Sequence, residues 1–131
     1  MNSLETALAE WRSALGEAHV LTDAEALKTA GTATFATTQS IPAILRPGNT
    51  AEVQACLRIA QAQGVPVYPV SGGRNWGYGS RVPPRDGCVV MELARMNRIL
   101  AYDEKLAYLT VEPGVTFQQA YTWLKERGSS L

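Results

Sequence analysis

A chain of 131 residues with 46% hydrophobic content can bury one core and is short for a two-domain enzyme. Twelve Lys plus Arg balance twelve Asp plus Glu, so no long-range field recruits nucleic acid or an anionic membrane. No run approaches the ~20 apolar residues of a membrane-spanning helix, and the start, with Glu5, Glu10 and Trp11, has no basic segment leading into an apolar one, so a soluble cytoplasmic protein is expected.

Residues 3–15 carry Leu4, Leu8, Trp11 and Leu15 at helical spacing, with Asn2 or Ser3 as a cap and Gly16 just beyond the end. Residues 17–40 are rich in Ala and Thr and weakly periodic. They read as a short strand around Val20 and Leu21, a short helix from Asp23 to Thr29, and irregular chain. His19 is the single histidine, with no second imidazole to share a metal and no Ser or Cys placed for it to activate, so no metal site or histidine triad is expected.

From Ile41 the pattern sharpens. Ile41-Pro42-Ala43-Ile44-Leu45-Arg46 is a short apolar run closed by Pro47-Gly48, a strand and a turn. Asn49 with Glu52 then caps a helix whose Val53, Cys56, Leu57 and Ala60 share a face, and Gly64 ends it in the left-handed conformation. Val65 to Val70 supplies a second strand, so residues 41–70 predict one strand–helix–strand unit with parallel strands and a right-handed crossover. Cys56 and Cys88 have no C-x-x-C spacing and read as small buried residues.

The next segment is Ser71-Gly72-Gly73-Arg74-Asn75-Trp76-Gly77-Tyr78-Gly79-Ser80. Its glycines allow positive φ and let backbone N–H groups converge on anionic oxygens without obstruction, which suits a pyrophosphate. The loop follows a parallel strand at its carboxyl end, where open α/β sheets bind ligands. Two familiar phosphate motifs fail on it. A G-x-G-x-x-G alignment on Gly72 and Gly77 puts Arg74 at the second glycine, and a P-loop alignment puts Tyr78 where the lysine belongs. A plain glycine-rich surface turn is the competing reading.

Beyond Pro83-Pro84-Arg85-Asp86-Gly87, Cys88 to Leu93 alternates as a strand. Ile99 to Tyr102 and Leu106 to Glu112 form a hairpin turning at Asp103-Glu104-Lys105. Phe117, Ala120, Tyr121 and Leu124 then define an amphipathic helix, with Thr116 as its cap and Gly128 as its stop.

Several motifs in order carry a resemblance. They are Ile44-Leu45-Arg46-Pro47, the helix over 50–63, Pro66-Val67-Tyr68-Pro69-Val70, the glycine loop, Val89-Val90-Met91-Glu92-Leu93 with Met96-Asn97-Arg98-Ile99, and Val111-Glu112-Pro113-Gly114-Val115-Thr116. Over roughly residues 40–128 the chain is similar to the PCMH-type FAD-binding domain of the vanillyl-alcohol oxidase and p-cresol methylhydroxylase flavoproteins. The loop resembles the version in the branch that oxidises para-substituted phenols. The resemblance implies an α/β (α+β) fold, with a small parallel strand–helix–strand subdomain followed by the start of a mixed or antiparallel sheet. Residues 1–40 are then a lead-in, and residues 41–131 the N-terminal part of the domain.

It also implies site roles. Ser71, Gly72, Gly73, Arg74, Asn75, Trp76, Gly77, Gly79 and Ser80 would wrap the FAD pyrophosphate, Arg74 by charge or else in a surface ion pair, and Asn75 by bracing the loop. Tyr78 would lie against the phenolic oxygen of the substrate and stabilise its phenolate. Leu93 and Met96 would line the cofactor cleft, and the backbone of Glu112, Pro113, Gly114 and Val115 would lie against the adenosine half. Family members are several times longer, with a second domain over the isoalloxazine ring.

Two functions stay open. One is part of an FAD-dependent oxidoreductase that takes hydride from a phenolic substrate and passes electrons to oxygen or a cytochrome, completed by a missing C-terminal or cap segment. The other is a non-catalytic remnant or interaction module. Apolar surface meant for further strands is expected to promote self-association.

Overall fold

In the computed structural model, residues 2–73 and 80–130 are described. Helix α1 (Ser3–Leu15) begins with a reciprocal cap: Asn2 Oδ1 accepts from Glu5 N at 2.9 Å, and Asn2 N donates to Glu5 Oε2 at 3.0 Å. Its buried residues, Ala7, Trp11 and Leu15, recur every four positions and so form one stripe. A single 3₁₀ turn leads to β1 (Val20–Leu21), and Asp23 caps α2 (Ala24–Ala30) by accepting from Ala26 N at 2.8 Å.

Strand β2 (Ile44–Leu45) is shorter than the apolar run of residues 41–46 predicts. Asn49 caps α3 (Thr50–Gln63), and Gly64, at φ +65°, ends it in the left-handed region. Strands β3 (Val67–Val70), β4 (Val89–Glu92), β5 (Ile99–Asp103) and β6 (Tyr108–Val111) follow, then α4 (Phe117–Glu126), capped by Thr116.

The strand order is β1-β2-β4-β3, with β1 antiparallel to β2 and the other neighbours parallel. The strands of the predicted strand–helix–strand unit therefore run parallel but are not neighbours, because β4 lies between them. The reason is in β4 itself. Val89, Val90 and Met91 are all buried, so the strand is apolar on both faces instead of alternating, and such a strand takes the centre of a parallel sheet.

Helices cover both faces. On one, Trp11, Leu15, Cys56 and Ala60 of α1 and α3 meet Leu45, Val89 and Met91. On the other, Ala30 of α2 meets Ile41, Ile44 and Val90. Fully buried Trp11 also donates its indole N–H to the Cys56 carbonyl at 3.1 Å, which ties α1 to α3 and satisfies the one polar atom of that ring.

Strands β5 and β6 form a separate antiparallel hairpin with a register irregularity between Ile99 and Ala101. Helix α4 meets it through an edge-to-face contact of Trp123 with Tyr102, centroids 5.5 Å apart, and Arg127 stacks on the same Trp123 ring. The predicted apolar face of α4 is left uncovered: Phe117 is 95% and Tyr121 60% exposed. Among the described residues no helix is long and apolar enough to cross a membrane.

Candidate cofactor site

Parallel pairing brings the carboxyl ends of β2, β4 and β3 to one edge of the sheet, and three connecting segments leave from it: residues 46–48, 93–96 and 71–73. The ends of β3 and β4 are tied where Leu93 N donates to Val70 O at 2.9 Å. Segment 93–96 turns back on itself through Met96 N to Leu93 O at 3.0 Å.

Onto this turn fits the one that follows β6. Gly114 N donates to Met96 O at 2.7 Å, and a Cβ at Gly114 would lie 2.6 Å from Leu93 O and 2.7 Å from both Ala94 O and Met96 O. Three backbone oxygens thus fill the space that any side chain would need. The structure brings Leu93, Met96, Gly114 and Val115 together in this way, with half-buried Leu93 packed against the core under α1 and α3, and Met96 buried.

Glu112 is buried and pinned. It accepts from Arg98 N at 2.8 Å, Arg98 Nε at 3.1 Å and Arg98 Nη2 at 2.7 Å. The hydrogen bonds from the Arg98 side chain, then that from its backbone, hold the Glu112 carboxyl below its ordinary range. A carboxylate with these partners is a clamp on the turn. Pro113 is exposed beside it.

At the glycine loop, Ser71 and Gly72 are exposed and Gly73 takes φ +66°. Nothing lies within 4 Å of a Cβ built on Gly72, whereas the Arg81 guanidinium is 3.3 Å from the Cβ position of Gly73. Ser80 closes the far end: its hydroxyl accepts from Val82 N at 2.9 Å, and its carbonyl accepts from the Tyr68 hydroxyl of β3 at 2.6 Å. Arg74, Asn75, Trp76, Gly77, Tyr78 and Gly79 lie outside the described residues.

Five charged residues near this edge carry no site role in the sequence reading. Arg46 pairs with Glu92 at 3.1 Å, Arg95 pairs with Glu52 at 3.6 Å across Gly48, and Arg81 stands beside Gly73. A cavity of about 320 Å³ between α2 and the sheet edge is lined by Leu21, Asp23, Ile44, Arg46, Arg81 and Glu92, among others. A second, of about 230 Å³, lies between Phe35, Tyr68 and the segment 80–84. The sequence signal for Arg46 and Arg81 is their position immediately after a strand and immediately after the glycine loop.

Cys56 is no candidate for chemistry, since burial, followed by the Glu52 charge, pushes its thiol up to about 11. Among the described residues no three His, Cys, Asp or Glu groups could hold a metal ion. The described start of the loop fits a phosphate-bearing group: backbone with open space at Gly72, a left-handed turn at Gly73, and a guanidinium alongside.

An α/β sheet with a glycine turn at the carboxyl edge of its parallel strands is the build of a domain that receives a phosphate-bearing cofactor. Residues 41–131 match the family described as "FAD binding domain", and the chain belongs to that family, in its p-cresol methylhydroxylase and vanillyl-alcohol oxidase type. It is 62% identical over 128 residues to 1'-carboxy-chondrochloren decarboxylase of Chondromyces crocatus, a match covering 98% of this chain and 24% of that protein.

Among solved structures, p-cresol methylhydroxylase with substrate bound superposes with a TM-score of 0.91 at 30% identity, over 97% of this chain and 25% of that one. 4-Ethylphenol oxidase from Gulosibacter chungangensis, in complex with isoeugenol, gives 0.88 at 35% identity, over 98% and 25%. The chain thus spans about a quarter of the length of these relatives.

Proposed function

We propose that this chain supplies the pyrophosphate-binding part of the FAD site of a flavin-dependent oxidoreductase acting on a para-substituted phenol. The observation that carries the reading is the convergence at one sheet edge of the Gly72–Gly73 turn, segment 93–96 and the Gly114 turn packed on it. Solved relatives with p-cresol methylhydroxylase and 4-ethylphenol oxidase activity support the phenolic substrate class.

Bound FAD supplies a two-electron acceptor. The chain's own residues bind and orient. Main-chain donors of residues 71–73 hold the pyrophosphate, with the rest of the loop through Ser80 completing the wrap. Leu93 and Met96 give the cleft an apolar wall, and Arg98 and Glu112 fix the turn of Pro113, Gly114 and Val115 against the adenosine half. Tyr78 is assigned the hydrogen bond to the phenolic oxygen, which favours the phenolate.

A second reading is favoured by the relative at 62% identity, a decarboxylase by name: a flavoprotein whose substrate loses a carboxyl group. Both readings share the FAD site. Its test is titration of the chain with FAD, followed by fluorescence quenching, beside Gly72→Val. The valine meets open space in the fold but stands over the loop's main chain. Saturable binding that the variant loses at unchanged melting temperature supports the proposal. A wild-type chain that does not bind FAD refutes it and leaves the interaction module.

A further inference from the structure

Of the segments that leave the carboxyl edge of the sheet, two are crossed by one side chain. Arg95, in segment 93–96 after β4, donates from Nη1 to the carbonyl oxygen of Arg46, in segment 46–48 after β2, at 2.5 Å. The same Nη1 lies 3.6 Å from Oε2 of Glu52, in the first turn of α3. Glu52 Oε2 in turn accepts from Gly48 N at 2.7 Å, and its Oε1 accepts from Asn49 Nδ2 at 3.1 Å. The guanidinium fills the space that a side chain at Gly48 would need, with Nη2 2.8 Å and Cζ 2.9 Å from the Cβ position.

Arg95 therefore joins a neighbouring main chain and a helix start at one point. A second contact between the same strand ends, Arg46 Nε to Glu92 Oε1 at 3.1 Å, is out of hydrogen-bonding alignment and fixes direction less well. Next to Arg95 in the chain is Met96, whose N–H donates to Leu93 O at 3.0 Å and whose carbonyl accepts from Gly114 N at 2.7 Å. The turns after β2, β4 and β6 are thus linked in series through residues 95 and 96. The tie is local: the side chains of Arg95 and Glu52 are 37% and 27% exposed, where an ion pair adds little to global stability.

We propose that Arg95 is a positioning residue, which holds segments 46–48 and 93–96 at a fixed separation so that the Leu93–Met96 wall and the Gly114 turn are set before a cofactor arrives. Its effect on FAD rests on the FAD reading above; its hold on the two segments does not. A wall fixed in advance raises affinity because less ordering is left for binding to supply.

Two readouts on the 131-residue chain separate these: amide hydrogen exchange followed by NMR without ligand, and FAD affinity from fluorescence quenching. Arg95→Met keeps the length and removes the donors, Arg95→Lys restores a charged donor, and Arg58→Gln, exposed on α3, is the control. Arg95→Met is expected to speed exchange at Gly48, Met96 and Gly114 by roughly fivefold or more, with the melting temperature within about 4 °C of wild type. Its FAD affinity should fall roughly three- to tenfold. Arg95→Lys recovers part of both losses, and Arg58→Gln changes neither.

Unchanged exchange at those three amides in Arg95→Met overturns the proposal, whatever happens to FAD. Faster exchange at unchanged FAD affinity overturns the positioning role and keeps the FAD reading. Faster exchange in a chain whose wild type does not take FAD keeps the hold on the segments and removes the FAD reading. Exchange that speeds up equally in the α1 and α3 core, with a melting temperature lower by about 10 °C or more, makes Arg95 a general stability residue and also overturns the proposal.

Discussion

Replacing Gly114 by alanine tests the packing on which the candidate site is built. The new methyl would sit 2.6–2.7 Å from the carbonyl oxygens of Leu93, Ala94 and Met96. All three are backbone, so no side chain can swing away, and the turn must retreat by more than half an ångström. Overpacking of this kind costs about 1–3 kcal/mol, and three rigid contacts put it at the upper end. Retreat also stretches the 2.7 Å bond from Gly114 N to Met96 O, a further loss of about 1 kcal/mol.

Against this, alanine restricts the unfolded chain and returns roughly 0.4–1 kcal/mol. The net destabilisation is about 3 kcal/mol or slightly more, read from urea unfolding with an unchanged slope. Gly48→Ala is the internal comparison. There the closest atom, at 2.8 Å, is the far end of the Arg95 side chain, which can shift where backbone cannot, and the expected loss is under about 1 kcal/mol. If Gly114→Ala unfolds within about 0.5 kcal/mol of wild type, or is destabilised no more than Gly48→Ala, the close approach of the two turns is not what holds this edge together.

Trp11→Phe removes the indole donor to Cys56 O and part of the ring volume, and urea unfolding should show a loss of roughly 2–3 kcal/mol. Glu112 has a carboxyl held low, so the stability it contributes is complete above its ordinary value of 4.5 and fades as pH falls through its depressed one. The stability gap between wild type and Glu112→Gln should therefore be constant above about pH 5.5 and shrink in acid; a gap that widens in acid counts against the clamp. Cys56 and Cys88 are buried, and neither should react with a maleimide at neutral pH until the chain unfolds, which mass spectrometry counts directly. The uncovered Phe117 and Tyr121 should drive self-association, and Phe117→Ser should shift size-exclusion elution toward monomer; identical elution would exclude that face.

The helices were legible because each carries its own punctuation: Asn2 and Asn49 as caps, Gly64 as a left-handed stop, Thr116 before α4. Sheet order was not, since it depends on pairing between residues far apart in the chain. Only the unbroken burial of Val89, Val90 and Met91 signals that β4 is central, and a short apolar run does not announce which strands will flank it. The α4 stripe shows the converse limit: Phe117 and Tyr121 have helical spacing, but spacing does not say whether a partner covers them. For the site, Gly114 was singled out as part of a turn, and the three carbonyls that require a glycine there come from residues 93–96, which no local pattern connects to it. No local pattern marks Arg81, because an arginine after a glycine loop looks like any surface charge until its distance to Gly73 is known.

The central position of β4 also bears on the order in which this protein can be made. When residues up to Val70 have emerged from the ribosome, β2 and β3 are outside but the strand that joins them is not, so neither has a parallel partner. The parallel sheet closes only when residues 89–92 emerge and hydrogen-bond to both sides at once. Until then the nascent chain holds α1 and α3 over an unfinished floor, the state in which chaperones would meet it.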